Sequence, residues 1–138
     1  AGSRAFGGAG GGPRVLVVDD NEAPRSALAY VLRQAGFEVV EAADGEEGIR
    51  AARSTLPGLV LMDLSMPVMD GWTATRQLRR ERVAAPLPVV AVTAQILSPA
   101  EQSEAELIFD EVLAKPVTAA RLLETVNRLL AGPYAEPD

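Results

Sequence analysis

The sequence predicts an α/β fold in which five parallel strands form one sheet with helices packed on both faces. Two observations carry this prediction. Short, β-branched apolar runs recur along the chain, and segments with the apolar spacing of a helix separate them. Strands that alternate with helices pair in parallel, because each helix carries the chain back across a face of the sheet. The domain is expected to occupy residues 14–131.

Each strand and helix of this fold can be assigned to a segment. The first strand, 14–18, is a Val- and Leu-rich run bounded by polar residues, typical of a strand buried on both faces. The other predicted strands cover 37–42, 59–62, 88–92 and 111–114. Helices are predicted over 22–35, 45–54 and 72–81, from Pro99 onwards, and from Thr118 to the end of the domain.

Local signals mark several helix ends. Gly36 is typical of the residue that follows a helix, and Asp44 of an N-cap. Ser98 to Glu101 has the capping-box pattern, with Pro at the first helical position. Thr118 fits an N-cap for the last helix, which Gly132-Pro133 should end.

The two ends of the chain are predicted to lie outside the domain. Residues 1–13 are Gly-rich and are interpreted as a flexible tail or linker, and residues 132–138 as a C-terminal tail. The Gly cluster precedes the first strand, whereas a phosphate-binding loop must follow one.

The amino-acid composition argues against several classes of function and restricts the kind of metal site that the chain could have. A net charge of −6 and a pI near 4.7 argue against a nucleic-acid-binding protein. The apolar runs are too short to span a bilayer and the N-terminus does not resemble a signal peptide, so a cytoplasmic protein without membrane contact is expected. The chain has no Cys and no His. A bound metal would therefore need oxygen ligands, which favours Mg²⁺, with Mn²⁺ as the other candidate.

Polar residues occur where four of the predicted strands end. Asp19 and Asp20 follow the first strand, Asp63 the third, Thr93 the fourth and Lys115 the fifth. In parallel sheets these carboxyl ends are where functional groups gather. Each residue taken alone also fits a turn or a helix cap, and for an Asp-Asp pair that is the commoner role. Because these residues occur together at four strand ends, we expect them to form a functional site.

The chemistry of this set indicates phosphoryl transfer. Carboxylates converging on one crevice repel each other, and a divalent cation would remove that repulsion. Asp63 would then be free to attack phosphorus, as carboxylate nucleophiles do. Lys115, the only Lys in the chain, and Thr93 would donate to the phosphoryl oxygens.

Four segments resemble the receiver domain of bacterial response regulators and hybrid histidine kinases. They are VLVVDDNE at 15–22, LVLMDLSMPVMDG at 59–71, VVAVTA at 89–94 and VLAKPV at 112–117. The resemblance covers roughly residues 14–131 and implies the flavodoxin-like (βα)5 fold. It also implies a signalling domain, not an enzyme, that receives a phosphoryl group from the histidine of a kinase or phosphotransfer protein and switches binding of a downstream protein.

The resemblance assigns a role to each site residue. Asp63 would be the phosphoacceptor, and Asp20, Asp63 and the backbone carbonyl of Ser65 would bind Mg²⁺. Asp19 would act through a metal-bound water.

The remaining assignments concern the phosphoryl group. Thr93 would be the switch hydroxyl, and Lys115 would pair with the phosphoryl group and precede a cis peptide bond to Pro116. Ser65 and Gln95 occupy the two variable positions that tune phosphoryl loss in the family.

Two positions depart from the family pattern. Val112 stands where an aromatic residue often rotates inward on activation, so coupling would have to run through Thr93 and loop movement. Ile108 stands where a Gly usually closes the fourth helix. Either residue 108 is left-handed and strained, or the helix runs on and Ile108 is buried in the core. We favour the second, because Phe109 beside it also suits a buried position.

Two other functions fit parts of the pattern. A pseudo-receiver would have the same fold and bind a partner without being phosphorylated. A phosphohydrolase of the haloacid-dehalogenase type also uses an Asp nucleophile with Mg²⁺. That family has Asp-x-Asp-x-Thr after the first strand, whereas here Asp19 and Asp20 are adjacent.

Overall fold

The computed structural model describes residues 12–81 and 87–131, so the predicted tails lie outside the described residues except for Gly12 and Pro13. Strands and helices alternate as predicted. The strands are β1 Arg14–Val18, β2 Glu38–Ala42, β3 Leu59–Asp63, β4 Val89–Thr93 and β5 Glu111–Ala114. The helices are α1 Glu22–Gln34, α2 Gly45–Thr55, α3 Gly71–Glu81, α4 Pro99–Ile108 and α5 Ala119–Ala131.

The five strands form one parallel sheet in the order β2-β1-β3-β4-β5, which confirms the doubly wound flavodoxin-like fold. Strand order reverses beside β1, at the boundary with β3. Ligands of open α/β sheets bind at such a switch point, beyond the carboxyl ends of the strands. None of the helices within the described ranges is long and apolar enough to cross a membrane.

Alternate residues of the central strands supply two separate apolar layers. One layer packs Leu16, Val60 and Ala91 against α2, α3 and α4. The other packs Val17 and Leu61 against α1 and α5. Both faces of β3 and β4 are therefore covered, which explains why these strands read as continuous apolar runs.

The predicted signals at four helix ends are confirmed, whereas Gly132-Pro133, the predicted stop of the last helix, lies outside the described residues. The Asp44 side chain accepts from the Glu47 N–H at 2.8 Å, and Ser98 and Glu101 form a complete capping box. The Thr118 hydroxyl accepts from the Arg121 N–H at 3.1 Å. Gly36 has a φ of 99°, a left-handed conformation that favours glycine.

The end of α4 differs from both outcomes considered for Ile108. The helix ends at Ile108, and Phe109 is extended with φ −107°. Residue 108 is not left-handed, since Leu56 and Val68 are the only non-glycine residues with positive φ in the described part of the chain. Nor does the helix run on. The Ile108 side chain is half-buried against the core, and Phe109 is buried edge-on to Trp72.

An arginine from α3 takes the place of a glycine closure. Arg79 donates to the Ile108 carbonyl from Nε at 3.1 Å and from Nη2 at 2.7 Å, and to the Leu87 carbonyl from Nη1. Its Nη2 also lies 3.0 Å from Asp110 Oδ2, which accepts from the Val89 N–H at 2.8 Å. Helix α4 can therefore end without a left-handed residue, because a side chain satisfies its last carbonyl.

Candidate functional site

The sheet register brings the acidic residues together. Val18 pairs with Met62, so Asp19, directly after β1, lies level with Asp63. Asp63 and Thr93 are the last residues of β3 and β4, so each strand runs one position beyond the end predicted from the sequence.

Three carboxylates converge at this edge of the sheet. Carboxylate oxygens of Asp19, Asp20 and Asp63 lie within 4.8 Å of one another. Asp19 is 2% exposed and Asp63 5%, whereas Asp20 faces solvent. Since like charges this close repel, the cluster is suited to a cation with several oxygen ligands.

Lys115 supplies a positive charge to this group. Its Nζ donates to Asp19 Oδ2 at 2.9 Å and lies 3.6 Å from Asp63 Oδ1. The backbone holds the residue in place, because the Lys115 N–H donates to the Thr93 carbonyl at 2.9 Å. The peptide bond from Lys115 to Pro116 is cis, as the resemblance implied.

Burial and neighbouring charge alter the acidity of two of these groups. Burial, followed by repulsion from Asp19, raises the pKa of Asp63 to about 6, although Lys115 acts in the opposite direction. Burial lowers the pKa of Lys115, but the hydrogen bond to Asp19 and the two carboxylate charges outweigh it, so this pKa is raised. At neutral pH the Asp63 carboxylate and the Lys115 ammonium are therefore both charged.

Thr93 and Ser65 lie beside the cluster. Thr93 is buried at the end of β4, and its Oγ1 accepts from the Gln95 N–H at 3.0 Å, which leaves the hydroxyl proton free to be donated. Ser65 is exposed, two residues after Asp63. The predicted site residues thus occupy one edge, with Asp19, Asp20, Asp63 and Lys115 in mutual proximity.

Two residues that shape this site, Gly71 and Arg25, were not predicted from the sequence. Gly71 begins α3, and a Cβ there would lie 2.2 Å from the Asp63 carbonyl oxygen, so only glycine fits. The Asp-Gly pair that ends the segment 59–71 could have indicated it. Arg25 donates from Nη1 to the Asp19 carbonyl at 2.9 Å. No local pattern marks this contact, because it depends on how α1 packs.

Residues 15–127 match the family described as the response regulator receiver domain. The chain belongs to this family. Receiver domains are signal-transduction modules of two-component systems, and the fold, the acidic cluster and the family match agree on that class.

Receiver domains of similar sequence occur in proteins of different length. PilH of Pseudomonas aeruginosa is 35% identical over 125 residues, which are 86% of this chain and 98% of PilH. Sensor protein GacS of Pseudomonas syringae is 38% identical over 117 residues, covering 83% of this chain and 13% of GacS. The transcriptional regulatory protein PrrA of Mycobacterium tuberculosis is 36% identical, and the chain spans half its length.

A solved structure supports the same comparison. The receiver domain of sensor histidine kinase PA1611 from Pseudomonas aeruginosa superimposes with a TM-score of 0.80 at 30% identity, covering 88% of this chain and 99% of that one. That structure has a magnesium ion coordinated in its active-site cleft.

Proposed function

We propose that this domain accepts a phosphoryl group on Asp63 from the phosphohistidine of a partner kinase or phosphotransfer protein, and that the transfer requires Mg²⁺, for which Mn²⁺ could substitute. The observation that carries the proposal is a buried carboxylate placed between two further carboxylates and an ammonium. Phosphorylation would then change the affinity for a downstream protein.

Asp63 has the properties of the nucleophile. With a pKa of about 6, the Asp63 carboxylate is mostly ionised at neutral pH. Because the residue is buried, few water molecules can hydrate the carboxylate. A carboxylate oxygen forms the new O–P bond while the N–P bond of the phosphohistidine breaks. The electron pair of that bond stays on the imidazole nitrogen, which can take up a proton.

The donor set fits Mg²⁺. Asp19, Asp20 and Asp63 offer hard carboxylate oxygens at one place, and the backbone carbonyl of Ser65 is the further ligand that we assign. Bound there, Mg²⁺ would neutralise negative charge on the carboxylates and on the phosphoryl oxygens.

Lys115 and Thr93 are suited to hold the transferred group. Lys115 lies 3.6 Å from Asp63, so its ammonium can turn from Asp19 towards a phosphoryl oxygen on Asp63. The Thr93 hydroxyl proton is free for the same purpose, and a shift of Thr93 would carry the signal into the loop before α4. Because Val112 is not aromatic, that loop must transmit the change without aromatic rotation.

A small phosphodonor tests the proposal. Incubation with acetyl phosphate and Mg²⁺ should add one phosphoryl group that hydroxylamine removes, and Asp63→Asn should abolish the modification. Asp44→Asn is the matched control: Asp44 follows β2 at the same edge, and Asn can still cap α2. Labelling that persists in Asp63→Asn would contradict the assignment. Steady turnover without a stable product would indicate a phosphohydrolase, and no reaction a pseudo-receiver.

A further inference from the structure

The four polar atoms of Asp19 all have partners, and one of these partners lies outside the acidic cluster. The N–H donates to the Ala42 carbonyl at 3.1 Å, and Oδ1 accepts from the Asn21 N–H at 2.9 Å. Oδ2 accepts from Lys115, and the backbone carbonyl accepts from Arg25 Nη1 at 2.9 Å. This last bond comes from the first turns of α1.

Arg25 is itself held in a fixed position. Its side chain is 16% exposed, and its Nε donates to Glu41 Oε1 at 3.0 Å. Glu41 lies near the end of β2, and its other oxygen accepts from Arg33 Nη1 at 3.2 Å. The guanidinium is therefore fixed between the end of β1 and the neighbouring strand.

The carbonyl that Arg25 contacts belongs to the peptide group linking Asp19 to Asp20. Because a peptide group is planar, a bond to its oxygen fixes the orientation of the whole group. That orientation sets the direction in which Asp20 leaves the backbone. The Asn21 N–H, in the next peptide group, donates to Asp19 Oδ1 at 2.9 Å and so orients the Asp19 carboxylate.

We propose that Arg25 is a positioning residue for the two adjacent aspartates. By holding their shared peptide group, it keeps both carboxylates directed at the place where Asp63 also points. Glu41 anchors Arg25 and offsets part of its charge, which weakens the repulsion between the guanidinium and a cation. The proposal rests on the proposed Mg²⁺ site and adds residues that would set its affinity.

Binding of Mg²⁺ measured by calorimetry on the whole chain tests this role. Removing a group that orients metal ligands typically weakens affinity by about 10–100-fold, so Arg25→Ala should raise the Kd for Mg²⁺ by at least about 10-fold. The rate of labelling by acetyl phosphate at saturating Mg²⁺ should stay within about twofold, because Asp63, Thr93 and Lys115 are untouched. A loss confined to affinity separates positioning from a general structural role.

Two further variants make the test decisive. Arg33→Ala removes the other arginine on Glu41 without touching Asp19, and its Kd should match the wild type. Arg25→Lys can restore one donor to the carbonyl and should give an intermediate Kd, which also serves if Arg25→Ala does not fold. An unchanged Kd in both Arg25 variants, or equal weakening by Arg33→Ala, would overturn the positioning role alone. No Mg²⁺ binding by the wild type would overturn both this role and the proposed function.

Discussion

Charged side chains are arranged differently at the two edges of the sheet, where the strands begin (the amino edge) and where they end (the carboxyl edge). At the carboxyl edge, Asp19, Asp20 and Asp63 crowd together, and among the described residues Lys115 alone forms ion pairs with their carboxylates. Burial and repulsion from Asp19 raise the pKa of Asp63 there. At the amino edge, Arg79 binds two backbone carbonyls and one carboxylate, and that carboxylate also accepts a backbone N–H.

This difference separates the residues to which we assign metal binding from residues that hold the fold together. Clustered carboxylates repel one another unless a cation offsets their charge, whereas the carbonyls and the carboxylate that Arg79 contacts already have their hydrogen-bond donor. Backbone strain, in contrast, occurs at both edges of the sheet. Leu56, which precedes β3 at the amino edge, and Val68, in the loop after Asp63, are both left-handed. The arrangement of charges therefore distinguishes the two edges, whereas backbone strain does not.

The largest change in stability is expected at the amino edge. Arg79→Ala should lower the free energy of unfolding by about 2–3 kcal/mol, because it leaves the Ile108 and Leu87 carbonyls without their donors. Arg76→Ala is the matched control, one turn away on α3 and also paired across to α4 with Glu104. That pair is 42% and 46% exposed, so its loss should cost about 0–1 kcal/mol. Equal effects in urea denaturation would contradict the role given to Arg79.

Glycine substitutions at two positions should have opposite signs. Ile108→Gly removes a half-buried side chain from the end of α4 and should cost about 2 kcal/mol. Val68 is 81% exposed with φ 69°, so Val68→Gly relieves strain and should stabilise by about 0.5–1 kcal/mol after the entropy cost of glycine. Loss of stability in Val68→Gly would show that the strained conformation is not maintained in solution.

The carboxyl edge should show a pH-dependent effect of removing charge. The pKa of Asp63 is raised in the folded protein, to about 6 from 3.8, so the folded state binds this proton more tightly and stability falls as pH rises through that window. Without divalent cations, Asp63→Asn should therefore stabilise the protein at about pH 7.5 by roughly 1–2 kcal/mol. The gain should shrink as the pH falls towards about 4.

A matched control tests whether crowding causes this gain. Glu124→Gln also removes one negative charge, but from a side chain that is 70% exposed and away from the cluster. It should change stability by less than about 0.5 kcal/mol at either pH. If the two variants behave alike in thermal denaturation, net charge and not the cluster explains the result.

Local chemistry explains why so much of the fold was predictable. The caps at Asp44, Ser98 and Thr118 act within three residues, so the sequence alone indicates them. The proximity of the three carboxylates could also be predicted from the sequence, because the carboxyl ends of parallel strands lie at a common edge of the sheet. The strands were predicted from runs of apolar residues, and such runs exclude a polar residue at the end of a strand. The predicted strands therefore ended one residue before Asp63 and Thr93.

Contacts between distant elements were not predictable in the same way. Arg79 meets residue 108 across a separation of 29 positions, and Arg25 meets Glu41 across 16. Nothing in the neighbourhood of either arginine indicates its partner. The prediction for the end of α4 was consequently wrong. Arg79, from α3, donates to the Ile108 carbonyl, so the helix ends there without a left-handed glycine.

We propose that Asp63, alone among the clustered carboxylates, carries the phosphoryl group. Borohydride reduction of the phosphorylated protein identifies the modified residue, because it converts an aspartyl phosphate into homoserine at that position. Peptide sequencing by mass spectrometry should then find homoserine at residue 63 after treatment with acetyl phosphate and Mg²⁺, and none when the cation is chelated. Homoserine at residue 19 or 20 would rule out Asp63 as the sole phosphoacceptor, and homoserine at residue 63 to the same extent without Mg²⁺ would rule out the requirement for the cation.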